Sequence, residues 1–584
     1  MNHTTMRCLT RFIFSLGIGL LAMISAASAQ RFQTTFGGMA AEAGRGGVRP
    51  LNGGGGYICA GFSNSFGNNM DVYVVKSNLA GGIVWANAYN FGGDDFGYDI
   101  QETVAGDFIV TGVTNAGGNN DMFILKLNAA GAVIWAETFG AGNEDWGWDI
   151  LQAGNGDYVA AGWSFTAAGN QDALIVRTNP AGGVIYAQTY APAGGGGNEF
   201  FHGLFQAGNG DLLACGGTTS FGAGQQGLVM RINFATGAPI WANQIGGAVN
   251  EVFHSVIELT VGAQAGNIVA AGFTSTIAPL DFYVAKYNGA GGFIGPDISG
   301  GTAGGAEEMF QVRESKVLNP GNLLLTGRIN PGPLGGDDGY VVQMVPAWGC
   351  PVGKVWSMAY GGGGLDQLYS GNEDPLNCIP GYILCGLTAT PAFLPAGDPQ
   401  QVYEIKTNNV GQSGCNELPP ADRCTQPNYP NAAVALANVT HAWGVFWNVN
   451  RIPGNVLRVL CFTPCPAPPV GAHLSDGSDG ISSDNSSVSS APDDARIADR
   501  AATYPTPVAA GESFRVDYTL GRGREVAVVV SDVSGHVVYQ RREETGAGNG
   551  SMTIGTDGWA SGSYLVRVDL GSETQTRRIV VMDR

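Results

Sequence analysis

Charge is scarce in this chain. Only 13% of its 584 residues are Asp, Glu, Lys or Arg, which speaks against long helices. Lys and Arg together number 29 against 48 acids, a formal net charge of −19, so the clustered cations that phosphate recognition requires are lacking and nucleic acid is excluded as a partner. Catalytic motifs are missing too. There is no G-x-S-x-G, no HExxH and no P-loop, and the six histidines have no evident Ser or Cys partner. No CxxC pair is matched by a second CxxC or by a spaced His pair, which speaks against a zinc site. What abounds is glycine. Its 92 residues keep no three-residue period, so they signal many tight turns rather than collagen, and 44% hydrophobic content is ample for packed cores. An all-β chain is the class that fits.

One long apolar run exists, at the start. Arg7 and Arg11 precede an apolar stretch from Phe12 to Ile24, then Ala27-Ser28-Ala29, the pattern of a secretory signal (1–29) cut before Gln30. No integral membrane span is expected after that cleavage. Losing Cys8 leaves nine cysteines, an odd number. Cys59, Cys215 and Cys385 lie in strand-like runs ("YICAGF", "LLACGG", "YILCGL") and read as buried thiols. Cys350 with Cys378, Cys415 with Cys424, and Cys461 with Cys465 are candidates for disulfides in an oxidising compartment.

A unit of four short strands repeats. Aligned on the residue opening each "WAxxYGG"-like segment, copies begin at Phe32, Trp85, Trp135, Tyr186, Trp241, Ile294 and Trp356, at intervals of 53, 50, 51, 55, 53 and 62 residues. Four-stranded units at this spacing indicate a β-propeller, because stacking sheets round an axis buries both faces of each. Seven copies predict seven blades over residues 30–415. The last copy lacks an outer strand after "VYEIKTN", so residues 31–36 are expected to supply it and close the ring.

Acids recur at the crossing between units: Glu42, Asp95, Asp145, Glu199, Glu251, Glu308 and Asp366. Their periodicity assigns them to structure, with each carboxylate accepting hydrogen bonds from the crossing loop. Calcium is the one metal that the acid-rich turns "GNNMD", "GNND" and "GNQD" bring to mind, yet none has the spacing of a calcium loop, and no cofactor is expected. Three residues beyond each acid the copies diverge, to Arg45, Tyr98, Trp148, His202, His254, Gln311 and Tyr369. If these strands are innermost, the seven side chains ring the central channel as a candidate ligand-binding site.

The stretch "DMFILKLNAAGAVIWAETFGAGNEDWGWDILQAGNGDYVAAGWS" (121–164) resembles the bacterial SBBP-type β-propeller repeat. Its Asp recurs as Asp71, Asp121, Asp172, Asp281 and Asp338, while Gly227 and Gln401 depart from it. The resemblance implies a propeller at or beyond the cell surface and implies no reaction.

Residues 416–470 read as a Cys- and Pro-containing extension that packs on the last blade, and 471–500 as a Ser- and Asp-rich linker. Strand patterning returns over 501–584, enough for a small β-sandwich. This segment resembles the type A C-terminal sorting domain of the type IX secretion system. Tyr504, Pro505 and Pro507 stand where that family has "YPNP", Asp532 and Gly535 fall in "SDVSGHVV", and Gly562 and Tyr564 in "GSYLVRV"; Thr506 and His536 replace the usual Asn and Arg. The resemblance implies passage across the outer membrane of a Gram-negative bacterium, by way of the type IX machinery, to a secreted or surface location. Together these features predict a non-catalytic binding module for a glycan or protein. The alternatives are a carbohydrate-active enzyme (glycosidase or lyase) and a purely structural surface protein.

Overall fold

A computed structural model describes residues 29–464 and 500–582, apart from short internal stretches. The expected leader (1–29) and linker (471–500) fall almost wholly outside these residues. The chain divides into two units, Met1–Pro466 and Ala467–Arg584. Among the described residues no helix is long and apolar enough to cross a membrane.

The first unit is all-β, made of repeated antiparallel sheets as in a β-propeller. The first sheet joins Glu42–Pro50, Tyr57–Ser63, Asp71–Ser77 and Ile83–Asn90 in that order. The second joins Asp95–Glu102, Phe108–Thr114, Asp121–Leu127 and Val133–Phe139; the third joins Asp145–Gln152, Tyr158–Phe165, Gln171–Thr178 and Val184–Pro192. Glu199–Gln206, Leu212–Thr218, Gln226–Ile232 and Pro239–Ile245 make the fourth, and Glu251–Glu258, Ile268–Thr274, Asp281–Tyr287 and Ile298–Thr302 the fifth. Ala306–Glu314, Leu323–Asn330, Asp338–Met344 and Lys354–Tyr360 make the sixth. The seventh takes Asp366–Asp374, Gly381–Thr388 and Gln401–Lys406, then Ala29–Phe36 from the start of the chain, with Phe32 opposite Lys406. Second strands such as Tyr57–Ser63 and Phe108–Thr114 are buried at every residue, because other sheets cover both of their faces.

One device repeats in all seven sheets. The first strand carries a β-bulge three residues after the acid, at Arg45, Tyr98, Trp148, His202, His254, Phe310 and Tyr369. The bulge turns its extra residue away from the ladder, and its carbonyl side crowds the second strand. A Cβ on Gly61, Gly112, Gly162, Gly216, Gly272, Gly327 or Gly386 would lie 1.6–1.9 Å from a first-strand carbonyl oxygen, so only glycine fits there.

Each sheet shares an apolar core with the next. Ile58 and Val74 pack with Phe108 and Val110, for example, and Ile109 and Ile124 with Tyr158 and Leu174. The seventh sheet packs on the first in the same way, through Ile383 and Val402 against Tyr57, Tyr73 and Val75. This seam carries bonds of its own. Cys59 and Cys385, expected as free thiols, form a disulfide across a sequence separation of 326 residues, and Gly44 leaves it room. The opposed strands bring the two Cβ atoms face to face, which sequence proximity did not reveal. Cys215 is a buried free thiol, and Cys415 is also disulfide-bonded. Lys406 pairs with Asp374 at 3.3 Å, Tyr57 donates to Asp374 Oδ2 at 2.7 Å, and Ser77 donates to Glu404 at 2.8 Å.

Residues 417–464 do not pack on one sheet as expected; they pair in turn with every sheet. Glu417–Leu418 joins the sixth, Asp422–Thr425 the fifth, Asn431–Val434 the fourth and Leu436–His441 the third. Val445–Phe446 joins the second, Asn450–Pro453 the first, and Leu457–Pro464 lies against Ala29–Phe36 of the seventh. The segment is a belt of fifth strands that runs the circuit against the order of the sheets, so each sheet is five-stranded.

The acids sit at the start of the first strands. Glu42 accepts from Ser63 Oγ, Glu199 from Thr218 and Ser220, and Glu251 from Thr274, whereas Asp95 and Asp366 also accept from the crossing-loop amides of Phe91 and Gly362. Asp145 is fully buried at the equivalent position. In the sixth sheet the register differs by one residue from the expectation. The bulge falls on Phe310, so Glu307 is the member of this series, accepting from Thr302 N and Oγ1, and Glu308 points elsewhere. Burial drives several of these carboxyls upward: Glu42 and Asp95 to about 7, and at the seam Glu404 to about 8. Raised acids bind protons more tightly in the folded chain, so their contribution is complete below the ordinary carboxylate range and is lost as pH rises through 7 to 8. Thermal unfolding at pH 5.5 is therefore expected roughly 5 °C or more above that at pH 8.5, read by calorimetry in matched ionic strength.

The second unit holds two sheets. Arg500–Tyr504, Ser513–Leu520 and Gly548–Gly555 form one; Val508–Ala509, Thr574–Met582, Gly562–Asp569, Arg524–Asp532 and Val537–Thr545 form the other. Phe514, Val516, Val528, Val566 and Ile579 share one core. Of the sorting motif, Tyr504 ends its strand, Asp532 ends another and Gly562 starts a third, while Tyr564 is buried against Trp559 at 4.8 Å. Pro505, Pro507 and Gly535 lie outside the described residues.

Candidate functional site

The seven bulges meet at one place. A cavity of ≈ 420 Å³ is lined by one bulge residue from every sheet: Arg45, Tyr98, Trp148, His202, His254, Phe310 and Tyr369. Six of these are residues expected in the ring; Phe310 stands where Gln311 was expected, because of the same one-residue shift. Gln311 lines the cavity from the next position, where its Oε1 accepts from Gly371 N–H at 2.8 Å.

The ring is continuous. Tyr98 stacks on Trp148 with centroids 4.5 Å apart, Trp148 meets His202 at 4.6 Å, and His202 stacks on His254 at 4.9 Å. His254 meets Phe310 edge-on at 5.6 Å, Phe310 stacks on Tyr369 at 4.6 Å, and the Arg45 guanidinium lies 4.8 Å from Tyr369 and 5.9 Å from Tyr98. A bulge re-aims a side chain that the strand's alternation would leave in the sheet, and seven bulges in register make a layer of touching rings.

Charged groups line the same cavity. Glu308 accepts from His254 Nε2 at 2.8 Å and from Arg328 Nε at 3.0 Å, and Arg328 reaches Asp337 at 3.1 Å. Although burial alone would raise it, these donors hold the Glu308 carboxyl below its usual value. The two histidines face each other through Nδ1 atoms 2.9 Å apart. Burial and then the neighbouring His254 push His202 well below the usual histidine range, so it is neutral, and one ring donates where the other accepts. Burial raises Tyr98 to about 12, so its hydroxyl keeps its proton.

The lining also includes an acid pair that the periodic acids concealed. Burial, then the charge and hydrogen bond of Asp99, hold the Asp149 carboxyl well above the usual range, with Arg313 opposing. Asp149 also accepts from Leu204 N–H at 2.8 Å. In sequence the only signal is that the aromatic of copies two and three is followed by Asp ("GYDI", "GWDI"), whereas copies four and five have Gly and Ser.

Among the described residues, no group of three or more His, Cys, Asp and Glu side chains is placed to hold a metal ion. Asparagines of the acid-rich turns make hydrogen bonds: Asn69 donates to Gly93 O, and Asn119 to Asp121 and to Asn143 O at 2.7 and 2.6 Å. These tie the turns before the third strands of the first and second sheets to the next crossing loop.

No curated protein matches the chain, and no SBBP-repeat family model does. Among solved structures, the chain is similar to Sqt1 from Chaetomium thermophilum at 8% identity, a TM-score of 0.31, and coverage of 64% of this chain and 98% of that one. Residues 502–582 match the family described as the secretion system C-terminal sorting domain. The second unit is therefore such a domain, it implies an interaction with the secretion machinery, and the protein is secreted or held on the outer-membrane surface.

Proposed function

We propose that this is an exported, closed seven-bladed β-propeller of the SBBP type, and that it binds a glycan or protein ligand, without catalysis, in the cavity where its inner strands meet. Closure is supported by the seam, where the first and last sheets share a core, a disulfide and a strand from the opposite end of the chain. The observation that carries the binding reading is the bulge ring. Each repeat presents its bulge residue by the same backbone device, yet the side chains differ, so a regular scaffold holds an irregular lining. Stacked aromatics beside fixed hydrogen-bonding groups suit a saccharide or a protein side chain.

The enzyme reading has a weaker basis. Asp99 and Asp149 are the only carboxyls in the lining that pair with each other, and they are in direct hydrogen bond, whereas glycosidic carboxyls stand about 5 Å or more apart to admit the scissile bond.

The test is an array of glycans and matrix proteins probed with the chain from Gln30 onward, belt included. Trp148→Ala is expected to weaken any captured ligand about 5-fold or more, since stacked aromatic anchors commonly contribute about 1 kcal/mol or above. Absence of any ligand for protein shown to be folded would move the assignment to a structural surface component.

A further inference from the structure

The cations of the cavity are not equally satisfied. Arg328 holds Glu308 and Asp337, and Arg313 acts on the Asp99–Asp149 pair. Arg45 has no carboxylate partner among the described residues. Its guanidinium lies against Tyr369, Tyr98 and Phe62, and its Nε, like that of Arg313, is buried with no hydrogen-bond acceptor, so the lack of a carboxylate is what sets Arg45 apart. A guanidinium has five donors in a planar fork that matches an oxyanion, and a buried donor left unmade is costly.

The surroundings define what that anion is attached to. In ring order, the Tyr98–Trp148 stack flanks Arg45 on one side and the Tyr369–Phe310 stack on the other. Both line the cavity with aromatic carbon next to the guanidinium, a surface that suits the C–H groups of a sugar. Farther round, Glu308 and the Asp99–Asp149 pair present acceptors that would repel a second anion and take neutral hydroxyls. A carboxylate meets the guanidinium fork with two parallel bonds, and the sulfated arm of the test below separates it from a tetrahedral oxyanion.

We infer that the cavity takes an acidic saccharide, a sugar ring on the aromatic faces with its carboxylate on Arg45. This rests on the binding reading above and gives it a ligand class. The test is calorimetric titration of the chain from Gln30 onward with oligomers of galacturonic acid, of neutral galactose and of a sulfated galactose. The uronate oligomer is expected to bind at least 10-fold more tightly than the neutral one, with affinity falling as salt rises. Arg45→Met should abolish that preference while leaving weak neutral-sugar binding. Arg45→Lys should retain part of it, and guards against misfolding of the first variant. Trp148→Ala should weaken all three sugars together. Equal affinity for neutral and acidic oligomers, unchanged in Arg45→Met, would overturn the acidic-saccharide inference and leave a glycan-binding reading standing. Binding of the sulfated oligomer alone would overturn the carboxylate assignment. No binding of any of the three by folded protein would remove the saccharide from both readings.

Discussion

Replacing Cys59 and Cys385 together by Ala is expected to lower the stability of the first unit by roughly 5 kcal/mol. The bond joins residues at a sequence separation of 326, and in the chain-entropy picture the constraint on the unfolded state grows with that length. The backbone reaches the first sheet only through Ala29–Phe36, the strand added to the seventh sheet from the start of the chain, so that junction rests on the pairing of this strand with Gln401–Lys406 and on the disulfide. Guanidinium unfolding of the oxidised wild-type and doubly substituted proteins, which share the Cys415 disulfide, measures the effect, and reduction should lower both by the further contribution of that second bond. An unchanged midpoint would mean that the shared strand and the Lys406–Asp374–Tyr57 contacts carry the seam without the bond.

Ending the chain at Cys415 is expected to lower the unfolding midpoint by on the order of 10 °C and to cause self-association. The belt covers the outer edge of every sheet, and its removal bares backbone N–H and C=O groups along seven edges at once. Each net hydrogen bond contributes only about 1 kcal/mol, but the belt makes its pairs with all seven sheets in one continuous segment. Scattering in the presence of a sheet-binding dye, with and without residues 416–464, separates edge association from simple loss of stability. A truncated chain that stays monomeric with an unchanged midpoint would show the belt to be dispensable.

Much of this architecture was legible in the residues, and the failures are instructive. The four-strand repeat was visible because turn glycines and buried runs recur at near-constant spacing, and the missing last strand pointed to residues 31–36. The slip in the sixth sheet came from "AEEM", where two adjacent glutamates fit the alignment equally well. Only the bulge, a property of the ladder, selects Glu307 and sets Phe310 in the ring. The disulfide was hidden because both cysteines sit in fully buried strands and their proximity depends on how the sheets close. The belt was hidden for another reason. Its strands are two to eight residues long and unlike one another, and a strand that merely follows an existing edge needs no apolar period of its own. The Asp99–Asp149 pair was overlooked because the regular acids drew the eye to the crossings.

The circuit of the belt also fixes what a cut can do. Its last residue, Pro464, pairs with Ala29 at the start of the first described strand, and the next described strand of the chain begins only at Arg500. A protease acting anywhere from 465 to 499 therefore separates the sorting domain from the rest while every described strand keeps its partners. Detachment of the sorting domain thus takes no described strand from the first unit, whose last described strand lies beside its first in one sheet.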